Sequence, residues 1–274
     1  MAAIAVLDAV NSPGKLGRTG DDRYGFDGQM GTAWVLDGAT DATGLMPFPG
    51  AESGAAWIAE TLSDALLATP PNTHPAPAYF TQILETVRAR AEDESEVSLE
   101  KLPPEALPIA SGIWMRRLAD AVEFAWLGDC MALDMSTGAV IGPAGDVERE
   151  TRENREVLKL TEAEIWEQVR LARAARHASG APIFGLQPQD GARVNMARYP
   201  ARPGGQFALM SDGFYRLIEP YGLYTPAGLA SAIAERGLSP LITQLRDHEA
   251  SNGHEALARI KRSDDACALW VEVS

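Results

Sequence analysis

Three short stretches decide how this chain folds: Thr32-Ala33-Trp34-Val35-Leu36-Asp37-Gly38, Phe207-Ala208-Leu209-Met210-Ser211-Asp212-Gly213 and Asp264-Asp265-Ala266-Cys267-Ala268-Leu269-Trp270-Val271. Each is an apolar run that meets an acidic residue. The first two read as strands that end in Asp-Gly, and the third as a strand that begins at a pair of carboxylates. With the three side by side, the third antiparallel to the others, their carboxylates collect at one end of a sheet. Carboxylates packed together repel unless cations lie between them, and hard oxygen ligands suit Mg²⁺ or Mn²⁺. A two-metal hydrolase is the expectation these stretches raise.

Working outward, residues 2–10 read as an opening strand, followed by a polar, Gly-rich stretch from Asn11 to Gly31. A helical period begins at Ala51, with Ala55, Ile58, Ala59, Leu62 and Leu66 on one face, and ends at the proline-rich segment Pro70–Pro77. A second helix is expected from Ala78 to about Glu94, then an acidic loop over 95–107. Strands return at 108–118, 121–127 and 130–134. Residues 146–178 are charged and helix-prone, with Ile165, Val169, Leu171 and Ala172 as a partial apolar face and Arg170–Arg176 as a solvated basic patch. Strands near 192–199 and 206–210, helices at 225–236 and 238–250, and a final strand over 266–273 complete the chain. Strands and paired helices occur in separate runs rather than in strict alternation. That order predicts an α+β fold of antiparallel sheets flanked by helices, in one domain over 1–274 with a helical insert at about 146–190.

Composition narrows the function. The chain has 38 acidic and 24 basic residues, a net charge of −14, so nucleic acid and anionic membrane surfaces are not expected partners. Two cysteines, Cys130 and Cys267, give neither a disulfide framework nor a zinc cluster and read as small buried hydrophobes. The N-terminus lacks a basic start and carries Asp8, unlike a signal peptide, and no uncharged apolar run is long enough to span a bilayer. A soluble, cytoplasmic monomer is expected. No Walker A sequence, Gly-x-Ser-x-Gly elbow or Asp-x-Asp loop occurs, and neither cysteine has Arg six residues later.

The acidic motifs, taken in order, carry a resemblance. They are Gly20-Asp21-Asp22-Arg23, Val35-Leu36-Asp37-Gly38, Ile109-Ala110-Ser111-Gly112, Trp126-Leu127-Gly128-Asp129-Cys130, Ala208-Leu209-Met210-Ser211-Asp212-Gly213 and Ser263-Asp264-Asp265-Ala266-Cys267. The chain resembles the metal-dependent Ser/Thr protein phosphatases of type 2C in their compact bacterial form, along nearly its whole length. Taken singly, Asp37-Gly38 and Asp212-Gly213 are ordinary tight-turn pairs, Asp21-Asp22 an ordinary solvated loop and Asp129 a turn carboxylate. The ordered set is what gives the resemblance its specificity.

The resemblance implies a four-layer αββα sandwich with two divalent ions at one end. By motif position Asp37 would bridge both metals and the Gly38 carbonyl would bind one. Asp212 and Asp264 would hold the other, and Asp22 would bind a metal or orient its water. A water between two cations, acidified by them, would attack the phosphorus of a phosphorylated protein substrate. Arg18, with Lys15 as substitute, would hold the remaining phosphate oxygens.

Three departures from the family pattern stand out. Ala39 occupies the place of a His proposed to protonate the leaving group. Arg216 replaces an Asp that helps bind a third metal; a pairing of Arg216 with Asp129 is expected instead, and a conventional third metal is not. Asp265 replaces Asn and adds charge beside the site. Two further readings therefore stay open: a small-molecule phosphomonoesterase with the same metal centre, and a weakly active phosphatase-like module that binds phosphorylated partners.

Overall fold

The computed structural model describes residues 3–71, 74–143, 155–252 and 263–274. Its strands are β1 (Ile4–Ser12), β2 (Arg23–Asp27), β3 (Thr32–Gly38), β4 (Ala110–Arg117), β5 (Ala121–Leu127), β6 (Met131–Asp134), β7 (Val140–Ile141), β8 (Asn195–Pro200), β9 (Gly205–Met210) and β10 (Ala266–Val273). Its α-helices are α1 (Gly54–Ala68), α2 (Ala76–Glu94), α3 (Glu162–Ser179), the single turn α4 (Asp212–Tyr215), α5 (Pro226–Arg236) and α6 (Ser239–Ser251).

The apolar runs are continuous because both faces of each central strand are covered. Along β3, Ala33 and Val35 point one way and Trp34 and Leu36 the other, and all four are buried. Ala33 and Val35 join Ile113, Phe124, Leu209, Cys267 and Leu269 in a core between two sheets. Trp34 and Leu36 join Ile58, Leu62, Phe80 and Ile83 of α1 and α2. Ala208 and Met210 of β9 and Ala268 of β10 pack against Leu229, Ile233, Leu241 and Leu245 of α5 and α6. The layers are therefore α1–α2, sheet, sheet, α4–α6: the αββα sandwich that the resemblance implied.

One sheet has the order β1-β10-β9-β6-β7 and the other β2-β3-β4-β5-β8, with every neighbouring pair antiparallel. This corrects the expectation that the three acidic strands lie side by side. Only β9 and β10 are neighbours, with Met210 opposite Ala268. β3 belongs to the other sheet and faces them across the core. Apolarity on both faces of a strand fixes its burial but not the sheet it joins.

The sequence did not disclose β2, β7 or α4. In β2 the side chains of Tyr24 and Phe26 are exposed, and Gly25 leaves room for the Trp34 ring, so the segment lacks an apolar core pattern. In the helical insert, residues 146–154 lie outside the described residues. α3 opens with a capping box between Thr161 and Glu164 and closes on Gly180 in the left-handed conformation. Its inward stripe is Ile165, Val169, Arg173 and His177, spaced by four. Leu171 and Ala172, expected on the apolar face, are exposed.

Gly38 ends β3 against the start of α1, where any Cβ would overlap the Ala55 carbonyl oxygen. Gly38→Ala is expected to destabilise the fold by about 2 kcal/mol or more, through overpacking against backbone. Gly44→Ala, where a Cβ meets nothing, is expected to stay within about 0.5 kcal/mol of wild type. Urea unfolding midpoints of the two variants measure the difference.

Candidate metal centre

The carboxylates meet at one end of the sandwich because antiparallel topology brings the end of β3, the end of β9 and the start of β10 to the same edge. The segment before β2 is drawn in with them. The Gly38 amide donates to the Asp21 carbonyl at 3.3 Å, and the Asn11 side chain donates to the Asp22 carbonyl at 2.9 Å. The small-residue strand lies directly beside β3, with Asp37 opposite Ser111 and Gly38 opposite Ala110.

Asp22 is 1% exposed, and its Oδ2 has no hydrogen-bond partner among the described residues. Burial pushes its carboxyl well above the usual range; the Ser211 hydroxyl opposes the shift, and Asp265, Asp212 and Asp264 add to it. Asp37 is raised likewise, by burial and then by Asp22, Asp212, Asp129 and Asp264. Asp212 is pushed up to about 6, by burial first and then by Asp129, while Arg216 and a hydrogen bond with Asp37 hold it down. These are the signs of like charges crowded in a poorly solvated place, where protons stand in for missing positive charge.

The donor set is oxygen only, anionic and partly desolvated, with an orphaned buried oxygen on Asp22. It fits a hard divalent cation such as Mg²⁺ or Mn²⁺. Among the described residues no three carboxylates already converge as a closed cage. Asp37 and Asp212 bond each other, and Asp264 Oδ2 lies 2.8 Å from Arg216 Nη2. This last contact corrects the expected pairing of Arg216 with Asp129. The helical turn that starts at Asp212 directs Arg216 toward β10 and α6, while Asp129 sits exposed beyond β5.

Asp265 has a structural task. Its carboxylate accepts from the Gly14 amide at 2.6 Å and, through a short bond, from the Asp21 amide. Asp21 in turn accepts from Ser53 Oγ at 2.5 Å, and Ser53 caps α1 through the Ala56 amide at 2.8 Å. Ser211 Oγ accepts from the Cys267 amide at 3.0 Å, which ties the end of β9 to β10 beside Asp22. Cys130 and Cys267 are buried between the sheets with thiols pushed up by that burial, so they act as hydrophobes.

A cleft of about 290 Å³ opens beside Asp264 and Asp265, walled by Lys15, Arg18, Asp41, Glu52 and Trp166. Arg18 is at its rim, with Nε 3.4 Å from Glu52 Oε2 and Nη2 donating to the Glu52 carbonyl at 3.0 Å. Trp166 comes from α3, so the insert contributes to this cleft. Asp41 caps α1 from the other side, accepting from the Gly54 amide at 2.8 Å.

Sequence reasoning missed Trp166 and Asp41. It also missed Arg173, which lies inside the supposed solvated patch but is 5% exposed and donates to the carbonyls of Leu107, Ala39 and Thr40. The only sequence signal for Arg173 was its place in the four-residue stripe of α3.

A sequence profile described as Protein phosphatase 2C matches residues 15–260. No curated protein sequence matches the chain significantly. Among solved structures, the chain is similar to PppA, a regulatory component of T6SS in Pseudomonas aeruginosa, at 16% identity and TM-score 0.53, over 99% of this chain and 97% of that one. It is similar to the catalytic domain of the serine/threonine protein phosphatase PstP in complex with two manganese ions, at 13% identity and TM-score 0.56, over 100% and 99%. It is also similar to the serine/threonine phosphatase Stp1 from Staphylococcus aureus, at 13% identity and TM-score 0.53, over 100% and 96%. At these identities the likenesses establish the fold.

Two outcomes follow from the site. Asp212 holds a proton up to about pH 6 in the fold, whereas an ordinary Asp near 3.8 has lost it in the unfolded chain. Its contribution to stability is complete below pH 3.8 and is lost as pH rises through about 6; Asp22 and Asp37 act in the same direction. In EDTA, the melting temperature is expected to be several degrees higher at pH 5 than at pH 7, and Mn²⁺ to raise the pH 7 value. Separately, Arg173→Ala strands three backbone acceptors and is expected to cost about 1–3 kcal/mol in urea unfolding.

Proposed function

The chain belongs to the protein phosphatase 2C family, and from that membership we infer that it hydrolyses phosphoserine and phosphothreonine in proteins with Mg²⁺ or Mn²⁺ as cofactor. The observation that carries this reading in the chain itself is the crowding of Asp22, Asp37 and Asp212 at one end of the sandwich, their carboxyls raised by burial and by one another beyond what Arg216 offsets. Divalent cations held there would supply Lewis acidity and make a water acidic enough to act as nucleophile near neutral pH.

The residues divide the remaining work. Asp37, at the end of β3, and the Gly38 carbonyl beside it would help hold the divalent cations. Asp212, just after β9, and Asp264, just before β10, would hold a cation as well. Asp22, whose buried Oδ2 has no hydrogen-bond partner among the described residues, would bind a cation or orient a water for attack. Arg18 and Lys15 on the cleft wall hold the phosphate oxygens, and Arg18 must exchange Glu52 for the substrate to do so. At a net charge of −14, the chain repels phosphate at long range, so bound cations must reverse the field locally.

No helix among the described residues is long and apolar enough to cross a membrane. We assign the protein to the cytoplasm as a monomer of one domain, with a phosphorylated protein as partner and no role for nucleic acid or membrane.

The deciding assay is hydrolysis of a phosphothreonine peptide with Mn²⁺, Mg²⁺ or EDTA. Turnover is expected to require metal and to fall roughly 100-fold or more in Asp212→Asn and Asp37→Asn. Arg18→Ala is expected to raise KM more than it lowers kcat. Mn²⁺ binding by calorimetry without peptide turnover would favour a phosphoprotein-binding module. Faster turnover of small phosphate esters than of peptides would favour a phosphomonoesterase.

A further inference from the structure

Arg216 brings a guanidinium into the acidic cluster from the chain itself. It stands four residues after Asp212, at the end of the turn α4, where its amide donates to the Asp212 carbonyl at 3.0 Å. The residue is 4% exposed. On one side Nη2 meets Asp264 Oδ2 at 2.8 Å, and on the other Nη1 lies 3.7 Å from Glu249 Oε1. Glu249, on α6 and 1% exposed, is fixed independently by Arg246 at 2.8 Å and by the Tyr221 hydroxyl at 3.2 Å. The guanidinium is thus held between Glu249 on one side and the edge where Asp212 and Asp264 sit on the other.

A buried arginine with a purely structural task has its donors bonded. Here Nε and Nη1 have no hydrogen-bond partner among the described residues. What fixes the group is charge, not a completed set of hydrogen bonds.

We propose that Arg216 is a built-in counter-ion of the metal centre, whose fixed positive charge weakens the hold of Asp212 and Asp264 on a divalent cation. This rests on the metal-dependent reading above and concerns how that centre is loaded. The physical basis is direct. The Asp264 oxygen that faces the guanidinium shares its negative charge between Arg216 and any incoming cation. A positive charge fixed against Asp264 would also repel a cation held by that carboxylate, in a medium that screens poorly. The same charge lets Asp212 and Asp264 stay together before a metal arrives. A cation held by Asp212 and Asp264 would then load at a higher metal concentration than it would without Arg216.

The test is calorimetric titration of the metal-free full chain with Mn²⁺, comparing wild type, Arg216→Lys, Arg216→Met and the double variant Arg216→Met/Glu249→Gln. Arg216→Met is expected to tighten the weaker Mn²⁺ event by roughly ten- to hundredfold, the range over which groups behind metal ligands change affinity. Arg216→Lys, which keeps the charge, is expected to stay near wild type. The double variant removes the Glu249 charge that Arg216→Met leaves partly uncompensated, and gives the same reading if the single variant folds poorly. Equal or weaker Mn²⁺ affinity in the Met variants overturns the proposal, as does tightening in Arg216→Lys equal to that in Arg216→Met. If neither wild type nor any variant binds Mn²⁺, the metal-centre reading itself falls, an outcome distinct from equal binding.

Discussion

Repulsion among carboxylates that have lost much of their water is the constraint on which this structure turns. Asp22, Asp37, Asp212 and Asp264 come from four separate segments and are packed at one end of a β-sandwich, with Asp129 close enough to raise two of them. Left alone, such a cluster would push the segments apart or protonate. The hydrogen bond between Asp37 and Asp212 is the protonated answer, and Arg216 against Asp264 is a partial ionic one. A divalent cation is the answer that leaves the carboxylates charged and useful for phosphate chemistry.

The surroundings keep the cluster from relaxing. Central strands buried on both faces give β3, β9 and β10 little freedom to slide, because a one-residue slip would turn core side chains to the wrong layer. Asp265 spends its charge on the amides of Gly14 and Asp21, so the loop that carries Asp22 is fixed to the start of β10. Asp21 and Ser53 then link that loop to the first turn of α1. From the far side, Arg173 of α3 gathers the carbonyls that follow Gly38. Asp265 therefore has two effects: it anchors two backbone amides and raises Asp22.

The insert changes meaning in three dimensions. As a sequence it is a charged helical segment with a basic patch. In the fold, α3 buries one arginine of that patch and sends Trp166 to the wall of the cleft beside Asp264. Residues expected to face inward, Leu171 and Ala172, face out, because the helix docks through a narrow stripe centred on Arg173 rather than through its most apolar side.

The sequence by itself determined most of the order of strands and helices and the α+β class of antiparallel sheets flanked by helices, while the αββα layering came with the family resemblance that the ordered acidic motifs carry. Periodicity and the Asp-Gly strand ends are local, and local patterns survive in one dimension. It did not disclose β2, whose aromatic residues face outward, or the placement of β3 opposite β9 and β10 rather than beside them, since an apolar strand records that it is buried and not what covers it. Nor did it fix the partner of Arg216. Arg18 and Arg173 are the same residue type in equally polar contexts, yet one lies at a rim paired with Glu52 and the other is buried on backbone carbonyls. Which carboxylate a given arginine meets depends on the path of elements far apart in sequence, and only the tertiary structure decides that.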